Sequence, residues 1–350
     1  MSKYFYKDKP VIGLDISPTS IKLMSIDTKK WSVLGYGSID LDPTKLQQSM
    51  DTDGKYIGEQ LQALLKKKTI GHLRSNHVVM SIPTTRTYSR SVTIPRDIKG
   101  SILDAVRLEA EQYVPIPLNQ LYIDYEITKQ DEKSTTVLLC AVPQKTVDTC
   151  VDAATKAGLR VVMVEPGMSS VARLLKTTED GALATVIVDI GAASTDVAIL
   201  DGSLKVTGGI AIGGNTFTLD ISNKLGVTLE KAHQLKVLNG LGPSPKQKDI
   251  KAALDPNLKR ISAEVKKIMR YYSERVEDAR KIEQVIIVGG GSNIPGIGDY
   301  FTDSIVIAAR LASPWQVLNF GKLPQPARQF KARYITVAGL ACVKPKEIWR

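Results

Sequence analysis

Two short stretches of this sequence repeat one pattern, and the repeat constrains the fold more than any other feature. Residues 11–23 read Val-Ile-Gly-Leu-Asp-Ile-Ser-Pro-Thr-Ser-Ile-Lys-Leu, and residues 186–196 read Val-Ile-Val-Asp-Ile-Gly-Ala-Ala-Ser-Thr-Asp. Each is an apolar strand that ends on a carboxylate and is followed by a tight turn of small residues and a second strand. Asp15 aligns with Asp189, and Ser20 aligns with Ser194. A long-range internal repeat of this kind predicts two related subdomains that face each other across a cleft.

Each predicted hairpin suits a phosphate group. Small residues in a turn let backbone N–H groups approach phosphate oxygens, and the hydroxyls of Ser194 and Thr195 can add donors. A carboxylate at the strand end, Asp15 or Asp189, can hold Mg²⁺ through water. Lys22 follows the first turn and can place a cation on a phosphate. A lone lysine on a strand more often faces solvent, but the mirrored hairpin favours the functional interpretation.

Length and composition place the chain among globular proteins with two or more domains. It has 350 residues, of which 43% are hydrophobic and 24% charged. No apolar run has the length of a membrane span, and the polar, basic start is unlike a secretory signal. The three cysteines are scattered and odd in number, which predicts a cytosolic location without disulfides or a zinc site. The three histidines lack metal-ligand spacing.

Hydrophobic periodicity predicts a mixed α/β fold. The first hairpin, a strand over 31–39, a helix over 56–67 and a strand over 77–82 form a β-β-β-α-β unit. Residues 87–162 then read as an inserted β-α-β-β-α-β domain whose last strand returns to the first domain. A groove beside an exposed strand edge is a common peptide site.

Three further positions are candidates for ligand contact. Glu165 lies at a strand-to-helix junction, where ligands cluster in α/β sheets, but an acid favoured by a helix N-terminus is an equally good interpretation. Gly213-Gly214-Asn215 opens a helix and is an anion site or a plain turn, and the context favours the site. The turn 289–292 follows a buried strand, so a base or ribose can lie against its backbone. A long helix is predicted over 255–281.

The formal net charge is +11, and most of it lies in residues 224–281, which hold 14 Lys/Arg against 7 Asp/Glu. The simplest interpretation is a solvated helical face. The functional alternatives are anionic lipid, an acidic protein partner or nucleic acid. Nucleic acid ranks last, because no aromatic residues are interleaved with the basic ones.

The order of these pieces resembles the actin-like ATPase superfamily. The first hairpin, Glu165, the second hairpin, the Gly-Gly turn and the glycine-rich turn follow one another as in FtsA-like members, which also carry an inserted domain in this place. Residues 109–126, Glu-Ala-Glu-Gln-Tyr-Val-Pro-Ile-Pro-Leu-Asn-Gln-Leu-Tyr-Ile-Asp-Tyr-Glu, resemble the signature of the PilM family of type IV pilus assembly proteins. The tail 344–350 is too short for the membrane helix of FtsA, which favours the PilM family.

The resemblance implies a two-lobed actin-like (ribonuclease-H-like) fold that binds ATP and Mg²⁺ with weak turnover at most. Asp15 and Asp189 would hold the metal through water, and Glu165 would position a water. The residues implied in nucleotide binding are Asp15, Ser17, Thr19, Ser20, Lys22, Asp189, Gly191, Ala192, Ser194, Thr195, Gly213, Gly214, Asn215, Lys236, Gly290, Gly291 and Ser292. Two departures from the family pattern are Ser17-Pro18, where a glycine is expected, and His233, where a glutamate is expected.

The resemblance also implies partners and domain boundaries. In this family the inserted domain binds the cytosolic N-terminal tail of PilN, a bitopic inner-membrane protein, so the chain is expected in the cytoplasm, peripheral to the inner membrane. Other pilus platform and motor components and self-association are further expectations. The implied partner-binding residues are Arg90, Val92, Ile94, Ala105, Leu108, Gln112, Tyr113, Leu121, Ile123 and Tyr125. The implied domains are 1–86 with 163–182 and 331–350, then 87–162, then 183–223 with 283–330, and finally 224–282.

Two other functions remain open from the sequence. A small-molecule kinase on the same fold needs a general base in the cleft, and Glu165 is the candidate for it. A membrane-associated filament former like FtsA or actin would assemble without a partner.

Overall fold

The structure is a computed structural model, and it describes residues 9–82, 87–97, 100–179, 181–276 and 278–348. Its strands are β1 (Ile12–Ser17), β2 (Ser20–Asp27), β3 (Ser32–Asp40), β4 (Thr69–Gly71), β5 (His77–Ile82), β6 (Tyr88–Pro95), β7 (Leu121–Gln130), β8 (Ser134–Pro143), β9 (Arg160–Pro166), β10 (Thr185–Ile190), β11 (Thr195–Asp201), β12 (Ser203–Ile210), β13 (Gln284–Val288) and β14 (Ala309–Leu311). Its α-helices are α1 (Pro43–Asp51), α2 (Lys55–Ala63), α3 (Ile102–Tyr113), α4 (Gln144–Lys156), α5 (Gly167–Thr178), α6 (Gly214–Leu225), α7 (Leu229–Leu238), α8 (Gln247–Arg275), α9 (Ile297–Ile305), α10 (Arg328–Lys331), α11 (Ile335–Ala341) and α12 (Pro345–Ile348).

The chain divides into two compact units. Unit 1 comprises Met1–Leu174, Pro314–Gln325 and Thr336–Arg350, and unit 2 comprises Leu175–Ser313 and Pro326–Ile335. None of the described helices is both long enough and apolar enough to cross a bilayer. The four domains expected from the sequence remain a prediction at that finer level.

Unit 1 is built on a six-stranded mixed sheet in the order β4-β3-β2-β1-β5-β9. The strands β1, β2 and β3 form an antiparallel meander, and β5 and β9 run parallel to β1. Residues of α1, α2 and α4 form a core with one face of this sheet. On β1, a Cβ at Gly13 would lie 2.8 Å from the Ala341 nitrogen, so the glycine lets α11 pack directly on the strand.

Capping residues define where the helices of unit 1 begin. Asp42 precedes α1 and accepts hydrogen bonds from the amides of Thr44 and Lys45 at 2.8 and 3.1 Å. Ser101 and Asp104 form a capping box at the start of α3. The helix predicted over 56–67 is α2 followed by a π-helical turn over Leu64–Lys68.

The inserted region has its own three-stranded sheet, in the order β6-β8-β7, which packs against α3. The chain order β6-α3-β7-β8-α4-β9 matches the predicted β-α-β-β-α-β pattern. The helix α4, however, buries Cys150, Ala153 and Ala154 in the core of the large sheet, and β9 pairs with β5. The separate small core is therefore confined to residues 88–143.

Unit 2 repeats the plan of unit 1 with a five-stranded sheet in the order β12-β11-β10-β13-β14. Again a meander of three antiparallel strands is followed by a parallel strand. The registers correspond, because Asp15 lies opposite Lys22 and Asp189 lies opposite Asp196. The internal repeat seen in the sequence is thus a repeat of the fold.

The long helix α8 differs from its prediction at both ends. It begins eight residues earlier than expected, since Ile250, Ala253 and Leu254 extend the buried stripe and Pro256 is accommodated within the helix. It ends six residues earlier, at Arg275. There the Tyr272 hydroxyl accepts a hydrogen bond from the Arg280 amide at 2.8 Å, which holds the chain in a turn after the helix.

Candidate functional site

The first hairpin, in unit 1, is held together by an ion pair. The Lys22 Nζ donates to Asp15 Oδ2 at 2.5 Å and lies 3.4 Å from Ser17 Oγ. The Ser81 hydroxyl donates to the other oxygen of Asp15 at 2.7 Å. Lys22 is 7% exposed, so it does not face solvent as a lone strand lysine usually does. The register that pairs β1 with β2 and β5 brings these residues together.

Several groups that were predicted to bind the nucleotide or its metal ion are already hydrogen bonded within the protein. Both carboxylate oxygens of Asp15 accept hydrogen bonds from protein groups, and Ser17 Oγ donates to the Ser20 carbonyl at 2.9 Å. The Thr19 carbonyl accepts from the Leu41 amide at 2.9 Å, and Ser20 is 2% exposed. The metal role of Asp15 stays a prediction, and its ion pair with Lys22 does not favour it.

The second hairpin, in unit 2, has a more open turn. Its closing hydrogen bond runs from the Gly191 amide to the Ser194 carbonyl at 2.8 Å. The next three amides, those of Ala192, Ala193 and Ser194, make no hydrogen bond to the parts of the chain that the structure describes. Consecutive unpaired N–H groups in a turn are the donors that an anion requires. This turn therefore offers the free backbone donors that a phosphate site requires.

Two carboxylates lie beside this turn. Asp189 ends β10, and Asp196 is its cross-strand partner on β11, so both side chains lie on one face of the sheet. Hard oxygen ligands of this kind fit Mg²⁺. Asp196 is not among the residues predicted from the sequence, although its position directly after Thr195 and opposite Asp189 in a hairpin indicates such a role.

Three turns of unit 2 meet at the second hairpin. The amides of Gly214 and Asn215 donate to the carbonyls of Gly191 and Ala192 at 2.9 and 2.8 Å. The Cβ of any other residue at Gly213 would lie 2.7 Å from the carbonyl oxygens of Gly191 and Ala192, and one at Gly291 would lie 2.6 Å from that of Gly191. The glycines are thus required by the packing of turn against turn. An anion site was predicted at the start of α6, but the amides of Gly214 and Asn215 already donate hydrogen bonds to other protein groups.

Lys236 is a buried cation with neutral partners. It is 5% exposed, and its Nζ donates to the Gly214 carbonyl at 2.6 Å and to the Thr218 hydroxyl at 2.8 Å. Burial lowers the pKa of Lys236 to about 8. Burial also lowers the pKa of His233, with further contributions from the charges of Lys236 and Arg333. The charges of Lys236 and Arg333 therefore make the surroundings of His233 electropositive, as the surroundings of an anion site should be.

A serine hydroxyl closes the glycine-rich turn after β13. Ser292 is 1% exposed and its hydroxyl donates to the Gly289 carbonyl at 2.6 Å, so its predicted contact with a nucleotide is not favoured and stays a prediction. The side chain of Arg333 lies against Gly290, where an added Cβ would be 2.8 Å from Arg333 Cγ. The Arg333 guanidinium stacks over the ring of Phe330 at 5.9 Å. Sequence reasoning missed this pair because it comes from a distant segment.

Two other predicted site residues have structural partners. Thr195 is wholly buried and its hydroxyl donates to the Ile212 carbonyl at 2.7 Å. Glu165 is 6% exposed, and its oxygens accept from Nη1 and Nη2 of Arg173 at 2.7 and 2.6 Å. A carboxylate held on both oxygens by one guanidinium is poorly suited to position a water or to act as a base. Burial raises the pKa of the Glu165 carboxyl, and the Arg173 guanidinium opposes that rise. The geometry favours a structural role for Glu165, and its role as a catalytic base stays a prediction.

The predicted partner surface is divided between core and exterior. Val92, Ile94 and Leu121 lie in the core of the small sheet and offer little surface to a partner, which does not favour their predicted role. That role stays a prediction. Arg90 lies over the ring of Tyr113 at 5.3 Å. The residues that keep accessible surface are Arg90, Ala105, Leu108, Gln112, Tyr113, Ile123 and Tyr125.

Comparison with known proteins adds a family and a fold. The family model described as type IV pilus assembly protein PilM matches residues 13–344. The cell division protein FtsA of Borreliella burgdorferi is 22% identical over 89% of this chain and 71% of its own length. A solved PilM-PilN type IV pilus biogenesis complex superposes with a TM-score of 0.79 at 21% identity, covering 95% of this chain and 98% of the other. The structure of MreB5 of Spiroplasma citri bound to AMPPNP gives 0.52 at 14% identity, with 95% and 94% covered.

Proposed function

Because this chain belongs to the PilM family of type IV pilus assembly proteins, with an actin-like ATPase fold, we propose that it is an ATP-binding scaffold of the inner-membrane assembly platform. In this proposal the inserted sheet binds the cytosolic N-terminal tail of a PilN-type protein. That partner holds the scaffold at the inner membrane, and the bound nucleotide adjusts its affinity for the tail. Contacts with other platform and motor components, and self-association, belong to the same proposal.

One observation carries the nucleotide part: the three unpaired amides of residues 192–194 lie in the turn that follows Asp189. A phosphate oxygen would accept hydrogen bonds from these amides, and Mg²⁺ would be held by Asp189, with Asp196 on the same face of the sheet. When bound, the metal neutralises phosphate charge. Lys236 adds a cation beside Gly214, at the start of α6. The AMPPNP bound to MreB5 of Spiroplasma citri is a ligand of the same class.

The nucleotide proposal is tested by ligand-dependent stability. A ligand that binds only the native state raises the free energy of unfolding by about 2.7 kcal/mol at 100 times its Kd. We expect MgATP to raise the Tm of the wild type, and Asp189→Ala to remove most of that rise. The control variant Glu59→Ala changes an exposed acid on α2 of unit 1 and should respond as the wild type does. A full response of Asp189→Ala to MgATP would contradict the site.

The partner proposal depends on the exposed part of the small sheet. Leu108 is 63% exposed on α3, on the unit that also presents Arg90 stacked over Tyr113. An exposed leucine on the same inserted region as a cation stacked on an aromatic ring is a suitable anchor for an extended peptide. The related PilM of the superposed complex is associated with PilN, and the proposed partner is of that class.

A synthetic peptide of the PilN-type tail tests the partner directly. We expect saturable binding by the wild type, with affinity lowered at least tenfold by Leu108→Glu. The matched control is Leu238→Glu, since Leu238 is 75% exposed on α7 of unit 2 and should not contact the tail. Absence of binding with and without MgATP would contradict the partner. Equal affinity in both conditions would contradict the coupling to nucleotide.

A further inference from the structure

The solvent face of α8 carries a row of cations that the proposed function does not use. At 100° per residue, Lys248, Lys259, Lys266 and Arg270 fall within about 40° of arc along one line of the helix, about 33 Å long. All four are exposed. Three more exposed cations flank this line, Lys251 on one side and Arg260 and Lys267 on the other. We call these seven residues the basic row.

Acidic residues neutralise only part of the basic row. Between residues 250 and 273, all of which the structure describes, the two acids are half-buried and each already pairs with one lysine. Asp255 accepts from Lys259 at 2.6 Å, and Glu264 accepts from Lys267 at 3.1 Å. The exposed acids of α8, Asp249 and Glu274, stand at its two ends. The members Lys248, Lys251, Lys266 and Arg270 make no ion pair with any described residue.

No large exposed side chain rises beside the cations of the basic row. The other exposed residues over 250–273 are Ala252, Pro256, Ala263 and Ser273, all of them short. The opposite face of α8 is fixed in the core of unit 2, because Leu258, Ile261 and Val265 are fully buried there. The cations are therefore held on a firm base, and only their side chains are free to adjust. Like charges on one line repel each other until an oppositely charged surface approaches.

We propose that the basic row binds the anionic phospholipid surface of a membrane. A smooth cationic line about 33 Å long fits an extended negative plane, and no large side chain prevents close approach. A protein partner usually requires aromatic or aliphatic anchors at the centre of the contact, and the exposed face of α8 offers none. Nucleic acid is disfavoured because the row contains no exposed aromatic residue for base stacking and no exposed Asn or Gln for reading base edges.

The row is a second, independent attachment to the membrane. Each Lys or Arg near an anionic leaflet strengthens partitioning about fivefold, so several together give binding that is measurable but reversible and sensitive to salt. Stable membrane attachment generally requires two signals. In combination with the proposed tail partner, the row would raise the local concentration of the chain at the membrane.

The test is sedimentation of the full chain with lipid vesicles, in the absence of any tail peptide. One set of vesicles contains about 30% phosphatidylglycerol in phosphatidylcholine, and the other contains phosphatidylcholine alone. The variant Lys251→Gln/Arg260→Gln/Lys266→Gln/Arg270→Gln removes four cations of the row. The control Lys30→Gln/Lys45→Gln/Lys55→Gln/Lys67→Gln removes four exposed lysines of unit 1, so both proteins have the same net charge.

We expect the wild type and the control to sediment with anionic vesicles only, and the row variant to bind at least 100-fold more weakly. Binding should fall as salt is raised. Failure of the wild type to sediment, or equal losses in both variants, would overturn the proposal. A 20-base-pair DNA duplex is added as a competitor. If it releases the protein from anionic vesicles at a duplex phosphate concentration below that of the lipid phosphate, the basic row binds nucleic acid instead. Because no peptide is present, these outcomes are independent of the tail proposal.

Discussion

At the scale of single residues, burial decides what the charged side chains of the site can do. Lys236 and Glu165 are both almost completely covered, but one is hydrogen bonded to neutral groups and the other is paired with a guanidinium. Burial lowers the pKa of Lys236, which has no charged partner, and burial also raises the pKa of the Glu165 carboxyl, although the Arg173 guanidinium opposes that rise. Their responses to pH and to mutation should differ accordingly.

Lys236 should make the stability of the protein depend on pH. Its folded pKa, about 8, is below the unfolded value, so between about pH 8 and 10.4 the unfolded chain binds more protons. The free energy of unfolding should therefore rise by about 2 kcal/mol as the pH is raised from 7 to 10, because of the Lys236 ammonium group. Urea unfolding at pH 7 and at pH 10 measures this rise, and the variant Lys236→Met should not show it. An identical pH dependence of the two proteins would contradict the assignment.

Glu165 should contribute to stability rather than to turnover. Replacing it by Gln removes the nearer of the two carboxylates that pair with Arg173 and leaves Glu347 at 3.4 Å. Loss of one partner of a buried pair costs about 3 kcal/mol. We expect Glu165→Gln to lower the free energy of unfolding by about that amount. The double variant Glu165→Leu/Arg173→Met should recover part of it. If Glu165→Gln leaves stability unchanged but stops ATP turnover, the water-positioning role predicted from the sequence is the correct one.

At the scale of elements, the second hairpin is defined by how other turns pack on it. A side chain at residue 213 would overlap the carbonyls of the hairpin turn, whereas Gly58, within α2, has its nearest such neighbour 3.6 Å away. Position 213 therefore requires glycine, whereas position 58 has room for a side chain.

We expect Gly213→Ala to destabilise unit 2 by about 1–3 kcal/mol, because the turn must shift to admit the methyl group. The same shift should weaken MgATP binding. The control Gly58→Ala should instead add about 0.5–1 kcal/mol, since alanine is favoured within a helix and the space is sufficient. Chemical denaturation of the two variants measures both effects. A neutral Gly213→Ala would mean that the turns are not in close contact.

At the scale of the whole molecule, the small sheet is separable from unit 1 but the helix that follows it is not. The core of the small sheet is its own, and Tyr88 on β6 is the cross-strand partner of Ala141 on β8, so the two ends of the insertion are neighbours. Across the boundary, Tyr122 donates to Asp148 of α4 at 3.0 Å.

Replacing residues 88–143 by a short Gly-Ser linker should therefore leave a folded protein that still responds to MgATP but no longer binds the tail peptide. Removing 87–162, the domain predicted from the sequence, should prevent folding, because it deletes α4 and part of β9 from the large sheet. Circular dichroism and thermal unfolding distinguish the two deletions. A cooperative transition in the larger deletion would show that α4 is dispensable.

The local structure of this protein could be predicted from its amino-acid pattern. The alternation of apolar and small residues fixed both hairpins, most strand positions and the β-α-β-β-α-β order of the insertion, because such patterns follow from backbone periodicity and turn chemistry. The family resemblance was also carried by these local motifs. The +7 charge of residues 224–281 was visible too, but its alignment along one line of α8 depended on where that helix begins.

The contacts of individual side chains could not be predicted in this way, because they depend on how the elements pack together. Glu165 pairs with Arg173 on the helix that directly follows its strand. Thr195 bonds to the Ile212 carbonyl and Arg333 lies against Gly290, both through contacts between segments apart in the sequence. Helix α4 joins the large sheet for the same reason, since its apolar face is compatible with either core. A linear pattern shows which residues can be buried or can bind phosphate, but packing geometry selects which of them are already occupied by the protein itself.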